Sequence, residues 1–276
     1  MSRGLAAWHF ECRKCGYESS SFEPKINEEL ARTQVDEDGR AVGLMQLRKA
    51  NFRVILDFIK PFTKPTDKKL LEVGAAHGWF LEMASKEYET LGMEPDEYVF
   101  KQAQAKGLPV RLGYFPEALE EDELFDLIVF NDVLEHIPSL PTILEVCLRH
   151  LNPGGLLIVN LPNSKGMFFR LSKLLARLGW MKPFERMWQK GFPSPHLHYF
   201  SPEALELLAC KQGFTYLASR ELSAIQSENL MERLSHVTDS TTLAMYLQYY
   251  IVRLLIPTTR FFPSDIVAMV FRNEAK

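Results

Sequence analysis

Two glycines, Gly74 and Gly78, a carboxylate at Glu94 and the cluster Asn131–His136 are the residues whose types and spacing could do chemistry. Gly74 and Gly78 follow a short apolar run, Leu70-Leu71-Glu72-Val73. They precede Phe80, Leu81, Met83 and Ala84, which recur at the spacing of a buried helix face. This predicts a buried strand, a tight turn and a helix whose first N–H groups face a ligand. Glycine suits such a turn because it tolerates positive φ and lets a ligand approach the backbone. Glu94 ends the next hydrophobic run, where a carboxylate can accept both hydroxyls of a ribose. A third apolar run, Phe125–Phe130, delivers Asn131, Asp132, Glu135 and His136 at its C-terminal end, the edge at which open α/β sheets bind ligands.

The elements that must position these groups alternate. A helix is expected over Val42–Ile59, closed by Pro61 and Pro65, and a second from Pro95-Asp96 to Gly107. Val110–Leu112 reads as a short strand, Pro141–Leu151 as a helix, Asn152–Gly155 as a turn and Leu156–Leu161 as a strand. Alternation of this kind implies an α/β fold with a doubly wound, mostly parallel sheet. Residues 164–200 interrupt it. Phe168, Phe169, Leu171, Leu174, Leu175 and Leu178 form one apolar helix face, with Arg170, Lys173 and Arg177 on the other. Trp180, Phe184, Trp188 and Phe192 follow, then His196 and His198, which share one face if the segment is extended. Ser201-Pro202-Glu203 starts another helix, ending at Gly213. Phe214–Leu222 and Asp265–Arg272 read as the last strands, separated by a helical insertion at about 228–262.

Taken in order, the glycine turn, Glu94, the Phe125–Ile137 segment and Leu151–Val159 resemble the class I S-adenosylmethionine-dependent methyltransferases. The resemblance is strongest to the bacterial group that includes ubiquinone-biosynthesis O-methyltransferases and sugar-modifying methyltransferases. It implies a seven-stranded Rossmann-like sheet whose final strand runs antiparallel. It also implies that Glu72 orients the glycine turn or the methionine amine, that Gly74 and Gly78 pass close to the donor, and that Glu94 holds the ribose. Pro95 and Phe115 fall on the cofactor side, and the main chain of Asn131 and Asp132 lies near the methionine moiety. The family's usual Gly-x-Gly-x-Gly has Ala76 at its centre here. His136, in Leu134-Glu135-His136, and His198 are the candidate catalytic residues: His136 as a base or a ring bonding the next helix, and one histidine of the 196/198 pair as an acceptor-side group. The implied reaction is methyl transfer, most readily to oxygen, with residues 164–200 as a lid over the acceptor. A non-catalytic nucleotide-binding scaffold is the rival reading. A nicotinamide dehydrogenase is disfavoured because Gly74-x3-Gly78 lacks the pyrophosphate-binding spacing.

The composition is that of an ordinary globular chain: 276 residues, 46% hydrophobic and 24% charged, with a formal net charge of −3. Charge is unevenly placed. Leu112–Leu148 carries nine acidic residues and no Lys or Arg, whereas Lys165–Lys190 carries seven basic residues and one acid, Glu185. That basic segment favours an anionic acceptor such as a sugar nucleotide, glycan or lipid intermediate, and leaves peripheral contact with an anionic membrane open. No nucleic-acid module is recognisable, and no run reaches the length of a membrane span. With no signal-peptide pattern, a cytoplasmic protein without a disulfide framework is expected. Residues 1–40 read as an appendage to a methyltransferase domain at 41–276. His9-x2-Cys12-x2-Cys15-Gly16 looks like half of a zinc knuckle, and Asp36–Arg40 like a linker. A structural zinc needs four ligands, so the favoured reading is a degenerate knuckle; zinc with a fourth ligand from elsewhere stays open. No other metal site is expected.

Overall fold

The computed structural model describes residues 1–25, 37–225, 250, 253, 256 and 259–274. Each apolar run of the sequence becomes a strand: β4 (Lys69–Val73), β5 (Glu89–Glu94), β6 (Val110–Leu112), β7 (Phe125–Asn131), β8 (Leu151–Pro162), β10 (Phe214–Leu222) and β11 (Ile266–Asn273). They form one seven-stranded sheet in the order β10-β11-β8-β7-β4-β5-β6. Every pairing from β6 to β8 is parallel, and β11 is antiparallel to both its neighbours. This is the Rossmann-like methyltransferase topology that the resemblance implied.

Strand periodicity divides the core into two layers. Leu71, Val73, Ile128, Phe130, Leu157 and Val159 pack with α4 (Leu140–His150) and α7 (Pro202–Gln212). Leu70, Leu127, Val129, Leu156 and Ile158 pack on the opposite face with α1 (Glu37–Ile59) and α2 (Trp79–Ala84). Burying each such side chain contributes about 1.5–3 kcal/mol, so both faces must stay covered. The expected linker is a correction: α1 already begins at Glu37. The expected turn at Asn152–Gly155 is also taken into a strand, β8. Most of the insertion expected at 228–262 lies outside the described residues.

A second, four-stranded antiparallel sheet joins the two chain regions read separately from sequence. Its order is β1 (Ser2–Arg3), β2 (His9–Glu11), β3 (Glu18–Ser20) and β9 (His198–Tyr199). Glu18 pairs with Tyr199 and Ser19 with His198. Beneath it, Phe169 of α5 (Met167–Arg177), Phe184 of α6 (Lys182–Met187), Trp188 and Tyr199 are fully buried, packed by Leu5, Trp8 and Phe22. Residues 1–25 and 164–200 therefore share a core, so the N-terminal segment does not stand apart as an appendage.

The knuckle reading meets the same fact. His9 is buried; its Nδ1 accepts from the Leu5 N–H at 3.0 Å, so Nε2 donates to Glu18 at 2.7 Å. Cys12 and Cys15 sit partly exposed in the β2–β3 turn, where backbone N–H groups of Cys15 and Lys14 lower the Cys12 thiol's pKa. His9 is thus turned into the protein and its ring is already engaged, which removes it from the three-residue ligand set read from sequence.

Candidate active site

The C-terminal ends of β4, β5 and β7 open onto one cavity of about 1460 Å³. On one side lies the glycine turn. Gly74 and Gly78 take φ of 71° and 74°, and a Cβ on Gly74 would approach Val133 to 2.5 Å. Ala76, between them, is held at φ 46°, a region alanine adopts at a cost of roughly 1–2 kcal/mol. What compensates is its N–H, which donates to Glu94 Oε2 at 2.8 Å. The other oxygen of Glu94 accepts from the Asp96 N–H, also at 2.8 Å. Asp96 in turn caps α3 (Glu97–Ala105), accepting from the Tyr98 and Val99 N–H groups. The carboxylate at the end of β5 is thereby fixed beside the turn and remains on the cavity wall. Pro95, Gly113, Tyr114 and Phe115 continue that wall, with Phe115 edge-on to Phe130.

At the end of β7, Asn131 Nδ2 donates to Glu72 Oε1 at 2.9 Å. Glu72 itself borders a small adjoining void and not the main cavity, so it acts by holding Asn131. Burial pushes its carboxyl up to about 8. The sign of the consequence follows: the folded chain keeps a proton here that the unfolded chain loses above the ordinary carboxylate range, so stability falls as pH rises from about 5 to 8. Glu72→Gln is expected to flatten this slope and to raise stability at pH 8 by an amount on the order of 1–3 kcal/mol. Urea unfolding at pH 5.5 and 8 reads the difference.

Asp132 takes a positive φ of 55° and pairs with Arg48 of α1 at 3.4 Å; it does not cap a helix. The chain then makes a single turn, Leu134–His136. His136 Nδ1 lies 2.8 Å from the Pro195 carbonyl, which can only accept. Nδ1 is therefore the protonated nitrogen, and Nε2 carries the lone pair, 3.9 Å from Glu135 Oε1. Glu135 is buried, neither of its oxygens has a hydrogen-bond partner among the described residues, and burial followed by the Asp132 charge holds its carboxyl well above the usual range. His196 stands opposite, its ring 4.9 Å from that of His136, with Nε2 bonded by Gln189 at 2.8 Å. Ligand atoms of Glu135, His136 and His196 lie within 4.8 Å of one another, a spacing a divalent ion could bridge.

Of the expected donor-side residues, Gly74, Ala76, Glu94, Pro95, Phe115, Asn131 and Asp132 border the cavity, as does His136. Gly78 shapes the turn from behind: a Cβ there would meet Leu108 at 2.1 Å. His198 is a correction. It does not border the cavity; its Nε2 donates to the Ile137 carbonyl, its Nδ1 bonds the Tyr17 hydroxyl, and burial lowers its pKa. The ring bridges the N-terminal hairpin to the His136 turn, and His196 takes the cavity position. The basic lid is a second correction. None of Lys165, Arg170, Lys173, Arg177, Lys182, Arg186 or Lys190 borders the cavity. Lys173 instead bonds Glu18 at 2.6 Å. Arg48, on the wall, was missed because nothing in α1's sequence marks one basic residue above the others.

The residues suit the donor that the motifs imply. The Gly74 cradle leaves room that any side chain would fill, and Glu94 presents a carboxylate for ribose hydroxyls. Asn131 Oδ1, buried and without a hydrogen-bond partner among the described residues, suits an ammonium group.

Comparison with known proteins agrees. A family model described as a methyltransferase domain matches residues 46–219. The ubiquinone-biosynthesis O-methyltransferase of rat mitochondria is 26% identical over 81% of this chain and 67% of its own length. The human protein is 27% identical over 53% of this chain and 41% of its own, so the chain spans only part of these relatives. A solved S-adenosylmethionine-dependent methyltransferase from Thermotoga maritima superposes with a TM-score of 0.56 at 18% identity, over 87% of this chain and 96% of its own. One from Archaeoglobus fulgidus gives 0.50 at 17%, over 82% and 93%. At such identities the structures bear on fold alone.

Proposed function

Because the chain belongs to the S-adenosylmethionine-dependent methyltransferase family by the match over residues 46–219, we propose that it transfers the donor's methyl group to a hydroxyl oxygen, with His136 as general base. The observation that carries this reading is the convergence on one cavity of the glycine turn with Glu94 and of the His136 Nε2 lone pair. In-line displacement at a sulfonium needs donor and nucleophile held in register and a proton removed from the nucleophile. Glu94 and Asn131 would hold the donor, whose sulfonium, when bound, would supply the methyl and leave as a neutral thioether, while His136 would take the hydroxyl proton. Glu72 orients Asn131, the Pro195 carbonyl orients His136, and the lid segment through Phe192 and Pro193 excludes water.

The acceptor is read from the remaining wall. Leu44, Leu47, Phe52, Ile137, Ile143 and Phe192 are apolar, and the one arginine among the described lining residues, Arg48, already faces Asp132. This supports a small acceptor whose reacting part is uncharged, with any phosphate of a sugar nucleotide or lipid intermediate lying outside the cavity. Incubation with donor labelled in its methyl group and a panel of phenols, sugar hydroxyls and their phosphorylated forms tests it. Label in a base-stable ether is the expected product; label appearing only on amines or on phosphate-dense acceptors would contradict the reading.

A further inference from the structure

The sequence places an apolar face on α5; the fold buries Phe169 of that face and leaves its leucine edge exposed. Phe169, Ser172 and Ala176 are the buried positions, whereas Leu171, Leu174 and Leu178 are 47%, 51% and 76% exposed. Trp180, just beyond the helix, is 58% exposed. Beside the helix start, where the Met167 N–H bonds the Pro263 carbonyl, Phe261 and Phe262 are 72% and 52% exposed. Single exposed leucines need no explanation, but a row at helical spacing, with exposed aromatic residues in the chain beside both helix ends, offers a surface for a partner.

Charge identifies the partner. Arg170 and Arg177 of α5 and Lys182 and Arg186 of α6 are exposed, and the stretch from Lys165 to Lys190 carries a single acid, Glu185, which already bonds Lys190. A second copy of the same face would set these bases against their own kind. An anionic bilayer complements both features, accepting the leucines and rings at its acyl boundary and the bases at its headgroups. We propose that this face, α5 with Trp180 and Phe261–Phe262, docks the protein on an anionic lipid surface. The proposal is independent of the methyl-transfer reading, and it places the bases at a membrane and not at the acceptor.

The test uses the full chain and vesicles of phosphatidylcholine with and without phosphatidylglycerol. Co-sedimentation is expected only with phosphatidylglycerol and is expected to fall with salt. Arg170→Glu with Arg177→Glu should weaken it at least about thirtyfold, since one basic residue at such a surface is worth a factor of about five. Leu174→Ser with Leu178→Ser should weaken it at least tenfold (~) through loss of apolar burial. All four side chains already face solvent, so an unchanged unfolding midpoint shows that the fold is kept. Brominated lipid should quench tryptophan emission in the wild type and not in Trp180→Phe. Equal binding to neutral vesicles, no binding, or full binding by both double variants would overturn the proposal. So would a leucine variant that changes oligomeric state and leaves vesicle binding intact, which would assign the face to a second copy.

Discussion

His136→Ala is expected to lower kcat by about 10²–10⁴, the range in which a positioned general base contributes, while the affinity for S-adenosylmethionine changes less than about twofold. The separation follows from position. Nε2 is aimed by the Pro195 carbonyl, whereas the groups read as donor-holding, Glu94 and Asn131, stand on β5 and β7 with partners of their own. A merely structural histidine would lower donor affinity and thermal stability along with kcat. The pH profile separates the two roles further. The acidic limb of kcat/KM in the wild type reports protonation of the base, and it should be missing from the variant. A variant that kept that limb with nearly full kcat would remove His136 from the chemistry.

Glu18→Ala is expected to destabilise the protein by about 3–5 kcal/mol, the cost of leaving buried charge without its partner. Glu18 is 3% exposed and holds two side chains at once, His9 at 2.7 Å and Lys173 at 2.6 Å. Among the described residues, Glu11 at 3.5 Å is the one carboxylate left to Lys173 when Glu18 is removed. At about 2–4 °C per kcal/mol for a chain of this size, the midpoint should fall by roughly 10 °C. Glu18→Ala with Lys173→Met, which removes the lysine's charge as well, should recover part of that loss. Because Tyr17 reaches the His136 turn through His198, the loosened hairpin should also raise the acceptor's KM more than the donor's Kd. Differential scanning fluorimetry and steady-state kinetics on the two variants read both effects; a midpoint within about 2 °C of wild type would show that the contacts of Glu18 carry little stability.

The half of the cavity proposed to hold the donor was legible in the sequence because it is local. Gly74, Gly78 and Glu94 stand within one strand–turn–helix–strand unit, so glycine tolerance, apolar runs and spacing fix their relation. Asn131 and His136 could be placed by the rule that ligands sit at the carboxyl ends of parallel strands. The half proposed for the acceptor was not local. His196 and His198 would share a face on a regular strand, but β9 covers only His198 and Tyr199 and pairs with β3, some 180 residues earlier. That pairing turns His198 toward Tyr17 and leaves His196 to the cavity, and nothing in either segment alone announces it. Counting bases likewise gave a sign without a direction. Lys173 points to Glu18 across the same long-range contact, and the arginines of α5 face solvent. The amphipathic pattern of α5 was visible, but periodicity says only that a face is apolar, not that it turns inward.

Isothermal titration of S-adenosylmethionine into the full chain and into Glu94→Ala tests the central claim most directly. One molecule should bind per chain with micromolar affinity, and the variant should bind more weakly by about 1–3 kcal/mol, the loss of charged hydrogen bonds from Glu94 to the ribose. Heat from NADH with none from S-adenosylmethionine, or an unchanged dissociation constant in Glu94→Ala, would contradict the assignment of this cavity to the donor.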